Sequence, residues 1–133
     1  MSKISVLMSV YKKENPEYLR ASLESILVQT RTADEILLIE DGPLTQELYQ
    51  VVAEYQKKCD YLHVHAMEQN VQLGRALAKG VELCQYDLIA RMDTDDIAMP
   101  DRLEREGAYM EAHPEVDVVG GAIREFNDEG TID

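Results

Sequence analysis

The run Arg91-Met92-Asp93-Thr94-Asp95-Asp96 puts three carboxylates within four residues. Like charges this close repel one another, so an uncompensated cluster is costly. A bound Mg²⁺ or Mn²⁺ removes the repulsion. These hard cations prefer carboxylate oxygens and keep coordination positions open for substrate phosphates. Side chains alternate along an extended chain, so Asp93 and Asp95 point the same way and can face one ligand. The competing reading is structural: Thr94, Asp95 and Asp96 make a turn and cap the helix that follows. An EF-hand is excluded. Asp93, Asp95 and Glu104 fall at loop positions one, three and twelve, but Ala98 stands at the sixth, where the sharp turn needs glycine. Pro100 then starts a helix inside the would-be loop.

Other residues could act on a ligand. Asp41 is followed by Gly42, which has no side chain to obstruct a flat ring. Its carboxylate can accept a hydrogen bond from a nucleobase imide N–H, or Asp41-Gly42-Pro43 is simply a β-turn. Asn70, Gly74 and Arg75 open a helical stretch where backbone N–H groups and a guanidinium could meet a diphosphate; a plain surface helix is the alternative. His63 and His65 share one strand face but have no third ligand nearby in sequence, so packing or exposure explains them. Cys59 and Cys84 are the only cysteines, and two isolated thiols imply neither a disulfide framework nor a metal site.

The elements that must position these groups follow from hydrophobic periodicity. Ile4 to Val10 and Glu35 to Glu40 are apolar runs expected of strands covered on both faces. Tyr61 to Ala66 and Tyr86 to Met92 are predicted as the third and fourth strands, and Val116 to Ile123 as a fifth. Between them lie helical stripes. Asn15-Pro16 caps the first, with Leu19, Leu23, Ile26 and Leu27 at helical spacing. Leu48, Val51, Val52 and Tyr55 mark the second; Leu73, Leu77, Gly80, Val81 and Cys84 the third; and a fourth helix is predicted from Pro100 to His113. This alternation specifies an α/β fold with a mainly parallel sheet. Ligands of such sheets bind at the carboxyl ends of strands. Ser9, Val10 and Tyr11 stand at the end of the first strand, Glu40 and Asp41 at the second, and Asp93, Asp95 and Asp96 at the fourth. Acidic groups from two separate strands therefore meet at one edge.

The chain has 133 residues, which fits one domain, and 45% are hydrophobic. No apolar run reaches the roughly 18 residues of a membrane span. The apolar stretch after Met1-Ser2-Lys3 is too short for a signal peptide, which makes a cytoplasmic location the default expectation. Asp and Glu outnumber Lys and Arg 26 to 13, giving a formal net charge of −13. That balance excludes nucleic acid as a partner, because neutralising phosphates requires basic side chains. A single nucleotide remains accessible if a cation bridges it to the protein. Residues 126–133 are polar and close without a helix, from which the chain is expected to stop before the enzyme is complete.

In combination the chain resembles the family 2 glycosyltransferases with their GT-A, Rossmann-like fold. The matching segments are ISVLMSVY, LRASLESILVQT, EILLIEDG, NVQLGRALAKG and MDTDDIAMPDRLE, in the family's order and spacing and over nearly the whole chain. The Glu40-to-Pro43 turn and the Arg91-to-Asp96 run look most like bacterial enzymes that build surface polysaccharides. The resemblance implies that residues 1–133 are the nucleotide-sugar-binding part of such an enzyme, with Mn²⁺ or Mg²⁺ as cofactor. It implies that Ser9 and Tyr11 line the nucleotide pocket, Asp41 contacts the base, and Arg75 lies near the nucleotide. Asp93 is expected near the ribose and diphosphate and within reach of the metal, which Asp95 binds. Asp96 serves the sugar or caps the helix.

The family inverts the anomeric centre by direct displacement, with a carboxylate as general base for the acceptor hydroxyl. That base is expected beyond residue 133. The implied donor is a UDP-sugar and the acceptor a carbohydrate or a lipid-linked one. A region beyond this segment leaves room for peripheral association with the inner face of the membrane. Two positions depart from the family pattern. Glu40-Asp41-Gly42-Pro43 replaces Asp-Asp-Gly-Ser, and Ala78 replaces an asparagine frequent on the third helix. Among rivals, a Mg²⁺-binding receiver domain needs a phospho-accepting Asp after the middle strand and a Lys after the last. Here Ala66-Met67-Glu68 follows the third strand and no lysine follows Ile123. Nucleotidyltransferases and dinucleotide-binding oxidoreductases need glycine after the first strand, where Val10-Tyr11-Lys12-Lys13 has none. A non-catalytic nucleotide-binding module keeps the same binding residues and stays open.

Overall fold

The structure, a computed structural model, describes residues 3–113 and the backbone of 125–127 and 130–132. Four strands, β1 (Ile4–Val10), β2 (Glu35–Glu40), β3 (Leu62–Ala66) and β4 (Leu88–Arg91), form one parallel sheet in the order β3-β2-β1-β4. Helices α1 (Pro16–Leu27), α2 (Gln46–Lys58), α3 (Leu73–Leu83) and α4 (Arg102–Ala112) alternate with the strands. The chain runs outward from β1 to β3 and then returns to the other side of β1. The switch in direction therefore falls between β1 and β4, where open α/β sheets form their ligand crevice.

Local chemistry explains most boundaries. Asn15 caps α1 by accepting the Glu17 N–H at 2.8 Å, with Pro16 at the first helical position. Thr45 caps α2 by accepting the Leu48 N–H, and Lys57 and Lys58 sit in its last turn. On β1 and β2, Ile4, Val6, Met8, Val10, Ile36 and Leu38 pack with Leu19, Leu23, Ile26, Leu48, Val51 and Tyr55 in the larger core. The alternate residues Leu7, Leu37 and Ile39 pack with Ala76 of α3 on the opposite face. Gly80 lets α3 come down on the sheet, since a β-carbon there would collide with the Leu7 side chain.

Three boundaries differ from the sequence reading. The third strand starts at Leu62 instead of Tyr61, and β4 is shorter than Tyr86 to Met92, although the Met92 N–H still bonds to the Leu7 carbonyl at 3.0 Å. Helix α4 starts at Arg102, two residues after Pro100, because the Pro100 carbonyl is held by the Thr30 N–H at 2.8 Å. The predicted fifth strand, Val116 to Ile123, lies outside the described residues. In the polar C-terminal stretch, β5 (Glu125–Asn127) and β6 (Gly130–Ile132) pair antiparallel, which hydrophobic patterning did not indicate.

Candidate functional site

The site is built around the carboxyl end of β1. On one side the chain leaves β4 through Met92 and enters a stretch without regular structure that lasts until α4. Thr94 is buried there, and its hydroxyl lies 2.6 Å from a Glu14 carboxylate oxygen and 3.4 Å from the Ser9 carbonyl. Burying Thr94 turns its neighbours Asp93 and Asp95 out to solvent together, as alternation requires. The Asp96 N–H bonds to the Asp93 carbonyl at 3.1 Å, closing a turn that brings the third carboxylate round. One carboxylate oxygen from each of Asp93, Asp95 and Asp96 lies within 4.8 Å of the other two.

Half of the structural alternative holds, since Asp93 to Asp96 do form a turn. They cap no helix: α4 begins at Arg102 after Asp101, whose side chain makes no capping hydrogen bond. The turn leaves three charges together, countered by Arg91, 3.5 Å from Asp93, and by the charge of Arg102 near Asp96. Although Asp96 as a residue is exposed, protein crowded around its carboxyl pushes it above the ordinary aspartate range, and the charges of Asp93 and Asp95 push the same way. Three exposed carboxylates of one turn fit a hard divalent cation with open coordination positions. Among the described residues, no other group of His, Cys, Asp and Glu brings three ligands together, so His63 and His65 stand apart from any such centre.

On the other side of β1, β2 ends in Glu40 and Asp41, both buried. The Asp41 N–H extends the sheet by bonding to the Val10 carbonyl at 2.8 Å. Its carboxylate accepts the Val71 N–H at 2.7 Å, and its carbonyl accepts from the Asn70 side chain at 3.3 Å. Gly42 adopts φ +86°, and a β-carbon there would stand 2.6 Å from the Asn70 nitrogen. Only glycine fits that combination of backbone conformation and close approach. Asp41 thus clasps the connection leading to α3, a role beside the two considered from sequence. Asn70 belongs to this clasp and not to the helix, which opens at Leu73 after Gln72, a residue with φ +73° and no capping side-chain bond. Burial pushes the Glu40 carboxyl up.

The sequence-predicted residues occupy this edge as follows. Ser9 is half-buried and its carbonyl meets Thr94; Tyr11 is exposed in the turn closed by the Glu14 N–H on its carbonyl at 3.0 Å. Arg75 is exposed in the first turn of α3, where Gly74 faces open space and Ala78 is also exposed. Sequence reasoning missed Glu14 and Val71, set Asn70 at the start of α3 instead of in the clasp, and read Thr94 only as part of a turn; all four hold the site together. Thr94 carried a usable signal, a β-branched residue between two carboxylates; Glu14, eighty residues away from it, carried none.

A four-stranded parallel sheet flanked by helices is the architecture of GT-A glycosyltransferases. The crystal structure of S. aureus TarS 1-349 in complex with UDP-GlcNAc shares it, with a TM-score of 0.73 over 84% of this chain and 32% of that one, at 23% sequence identity. The family model of glycosyl transferase family 2 matches residues 5–133, and the chain belongs to that family. It is 46% identical over 126 residues to the amylovoran biosynthesis glycosyltransferase AmsE of Erwinia amylovora, covering 95% of this chain and 47% of that protein. It is 36% identical over 126 residues to the UDP-Gal:alpha-D-GlcNAc-diphosphoundecaprenol beta-1,3-galactosyltransferase of Escherichia coli, covering 93% of this chain and 45% of that protein. The chain spans about half the length of these curated relatives. No helix among the described residues is long and apolar enough to cross a membrane.

Proposed function

We propose that residues 1–133 form the donor-binding part of a glycosyltransferase that moves a sugar from a UDP-sugar to a carbohydrate or lipid-linked acceptor in polysaccharide synthesis, with inversion and with a divalent metal. The observation that carries the reading is the gathering of Asp93, Asp95 and Asp96 at the switch point, one strand away from Asp41. The names of the amylovoran and galactosyl relatives support the acceptor class and the uridine donor.

Each residue has a part in this reading. Ser9 and Tyr11 form the wall of the nucleotide pocket at the end of β1. Asp41 offers the base imide the carboxylate oxygen that Val71 does not use, and its burial strengthens that hydrogen bond by excluding competing water. Asp95 and Asp93 hold Mn²⁺ or Mg²⁺, and Asp93 also reaches toward the ribose. Arg75 and the uncapped start of α3 face the diphosphate. When bound, the cation offsets the negative charge that develops on the departing diphosphate. A binding site of this kind has a direct test. Calorimetric titration with UDP should show tighter binding with Mn²⁺ or Mg²⁺ than with a chelator, and equal affinity in the two conditions would refute the metal bridge. A preference for a guanine or thymine nucleotide would overturn only the choice of uridine.

A further inference from the structure

Helix α1 and the two residues after it carry three buried polar side chains beside residues that pack into the core. Ser22 is 0% exposed, and Ser25 and Gln29 are each 7% exposed. Their spacing of three and four residues stacks them along one face of the helix and its C-terminal extension. Every one of them bonds to the backbone of the stretch that bears the acidic cluster. Ser22 donates to the Asp93 carbonyl at 3.2 Å. Ser25 accepts the Ala98 N–H at 3.0 Å and donates to the Ser22 carbonyl at 2.7 Å. Gln29 donates to the Met99 carbonyl at 2.7 Å and accepts the Leu103 N–H at 3.0 Å. The Thr30 N–H completes the row on the Pro100 carbonyl at 2.8 Å.

We infer that Ser22, Ser25 and Gln29 are positioning residues that hold the Asp93–Asp96 turn in its cation-binding geometry. The inference rests on the metal reading of the site proposed above. Residues 92–101 have neither helix nor strand to fix them, yet their acidic turn concentrates mutual repulsion that drives it to spread. The α1 ladder grips the backbone on both sides of Asp95 and Asp96, at Asp93 before them and from Ala98 to Leu103 after them. It uses only neutral hydroxyl and amide groups, which restrain the loop without competing with a cation for the carboxylates. An apolar side chain at 29 would fill space but leave the Leu103 N–H without a partner, and the Met99 carbonyl with the Arg102 N–H alone. Cation sites tolerate little displacement of their ligands, and loss of an outer hydrogen-bonding partner typically weakens metal binding by about 10–100-fold.

A purely structural role for the ladder predicts loss of stability and nothing more. The separating experiment is a Mn²⁺ titration, followed by the electron paramagnetic resonance signal of free Mn²⁺, on Gln29→Ala and on Val52→Ala. Val52 is an apolar residue of α2 buried in the same core, makes no side-chain hydrogen bond to the acidic stretch, and supplies a variant destabilised through packing alone. Gln29→Ala should weaken Mn²⁺ binding by about tenfold and speed amide exchange at Ala98 and Leu103, while Val52→Ala leaves Mn²⁺ affinity unchanged. Equal Mn²⁺ affinity in wild type and Gln29→Ala, or an equal loss in both variants at matched melting temperature, overturns the positioning role and leaves the metal site standing. Absence of Mn²⁺ binding in wild type, or binding indifferent to Asp95→Asn, overturns the metal reading and this inference with it. If Gln29→Ala does not fold, Ser22→Ala removes a single bond to Asp93 and is judged by the same comparison.

Discussion

The two acidic strand ends on either side of β1 are built on opposite principles. Asp41, after β2, is buried, and its carboxylate is already engaged with the Val71 N–H. Asp93, Asp95 and Asp96, after β4, are exposed, and their turn is held through its backbone and through Thr94 while the carboxylates crowd one another. At the first end the charge serves the fold, clasping β2 to the connection before α3. At the second end the fold holds the charges together, keeping three carboxylates in one turn despite their repulsion. Removing a charge should therefore have opposite consequences for stability at the two ends.

The largest effect is expected from Asp95→Asn. The amide keeps the shape of the side chain but loses the charge a hard cation requires. Calorimetry should find no metal enhancement of UDP binding, and thermal melting without metal should show the variant no less stable than wild type because repulsion is relieved. Retained enhancement would move the metal assignment away from Asp95.

Asp41→Ala should act the other way, losing about 1–3 kcal/mol of folding stability in urea denaturation because the Val71 N–H is left without its partner. UDP affinity should fall along with it. A variant as stable as wild type would erase the contrast between the two ends.

Asp96→Asn should weaken metal-dependent UDP binding less than Asp95→Asn, and it tests the contrast through pH. The folded-state carboxyl of Asp96 titrates above the ordinary value of 3.8, so the folded protein holds this proton more tightly than the unfolded chain. Metal-free stability should accordingly decline as pH rises from 3.8 through the raised value, and the penalty is fully present above it. Mn²⁺ affinity should rise over the same interval, since cation and proton compete. The melting temperature of Asp96→Asn should lack that part of the decline; an unchanged pH profile would show that the crowding is screened away.

The smallest effect is expected at Glu40, the buried neighbour of Asp41, whose carboxyl is raised by burial alone. Its ionisation opposes folding with the same sign as that of Asp96. Glu40→Gln should raise the melting temperature at neutral pH by on the order of 1–3 °C and leave it unchanged in acid. A lower melting temperature at neutral pH would mean that Glu40 makes a stabilising contact as an anion.

Sequence by itself determined the elements and the chemistry they carry. The apolar runs of β1 and β2, the Asn15-Pro16 helix start and the outward pairing of Asp93 with Asp95 follow from local periodicity and capping, which depend on near neighbours only. Segment order and spacing also pointed to the family. Strand order was decided by the tertiary structure, because it depends on which buried faces meet, and it is strand order that sets β1 between the two acidic ends. The start of α4 moved to Arg102 for the same reason, through a bond from Thr30 to Pro100 across seventy residues of chain. Asp41 shows the limit most clearly. Its neighbours suggest a turn or a ligand contact, and only folding brings the Val71 N–H to its carboxylate. Nothing in the sequence singled out Ser22, Ser25 and Gln29, because a hydroxyl or amide beside an apolar stripe carries no sign of the partner it will meet. Which backbone supplies that partner is decided by packing.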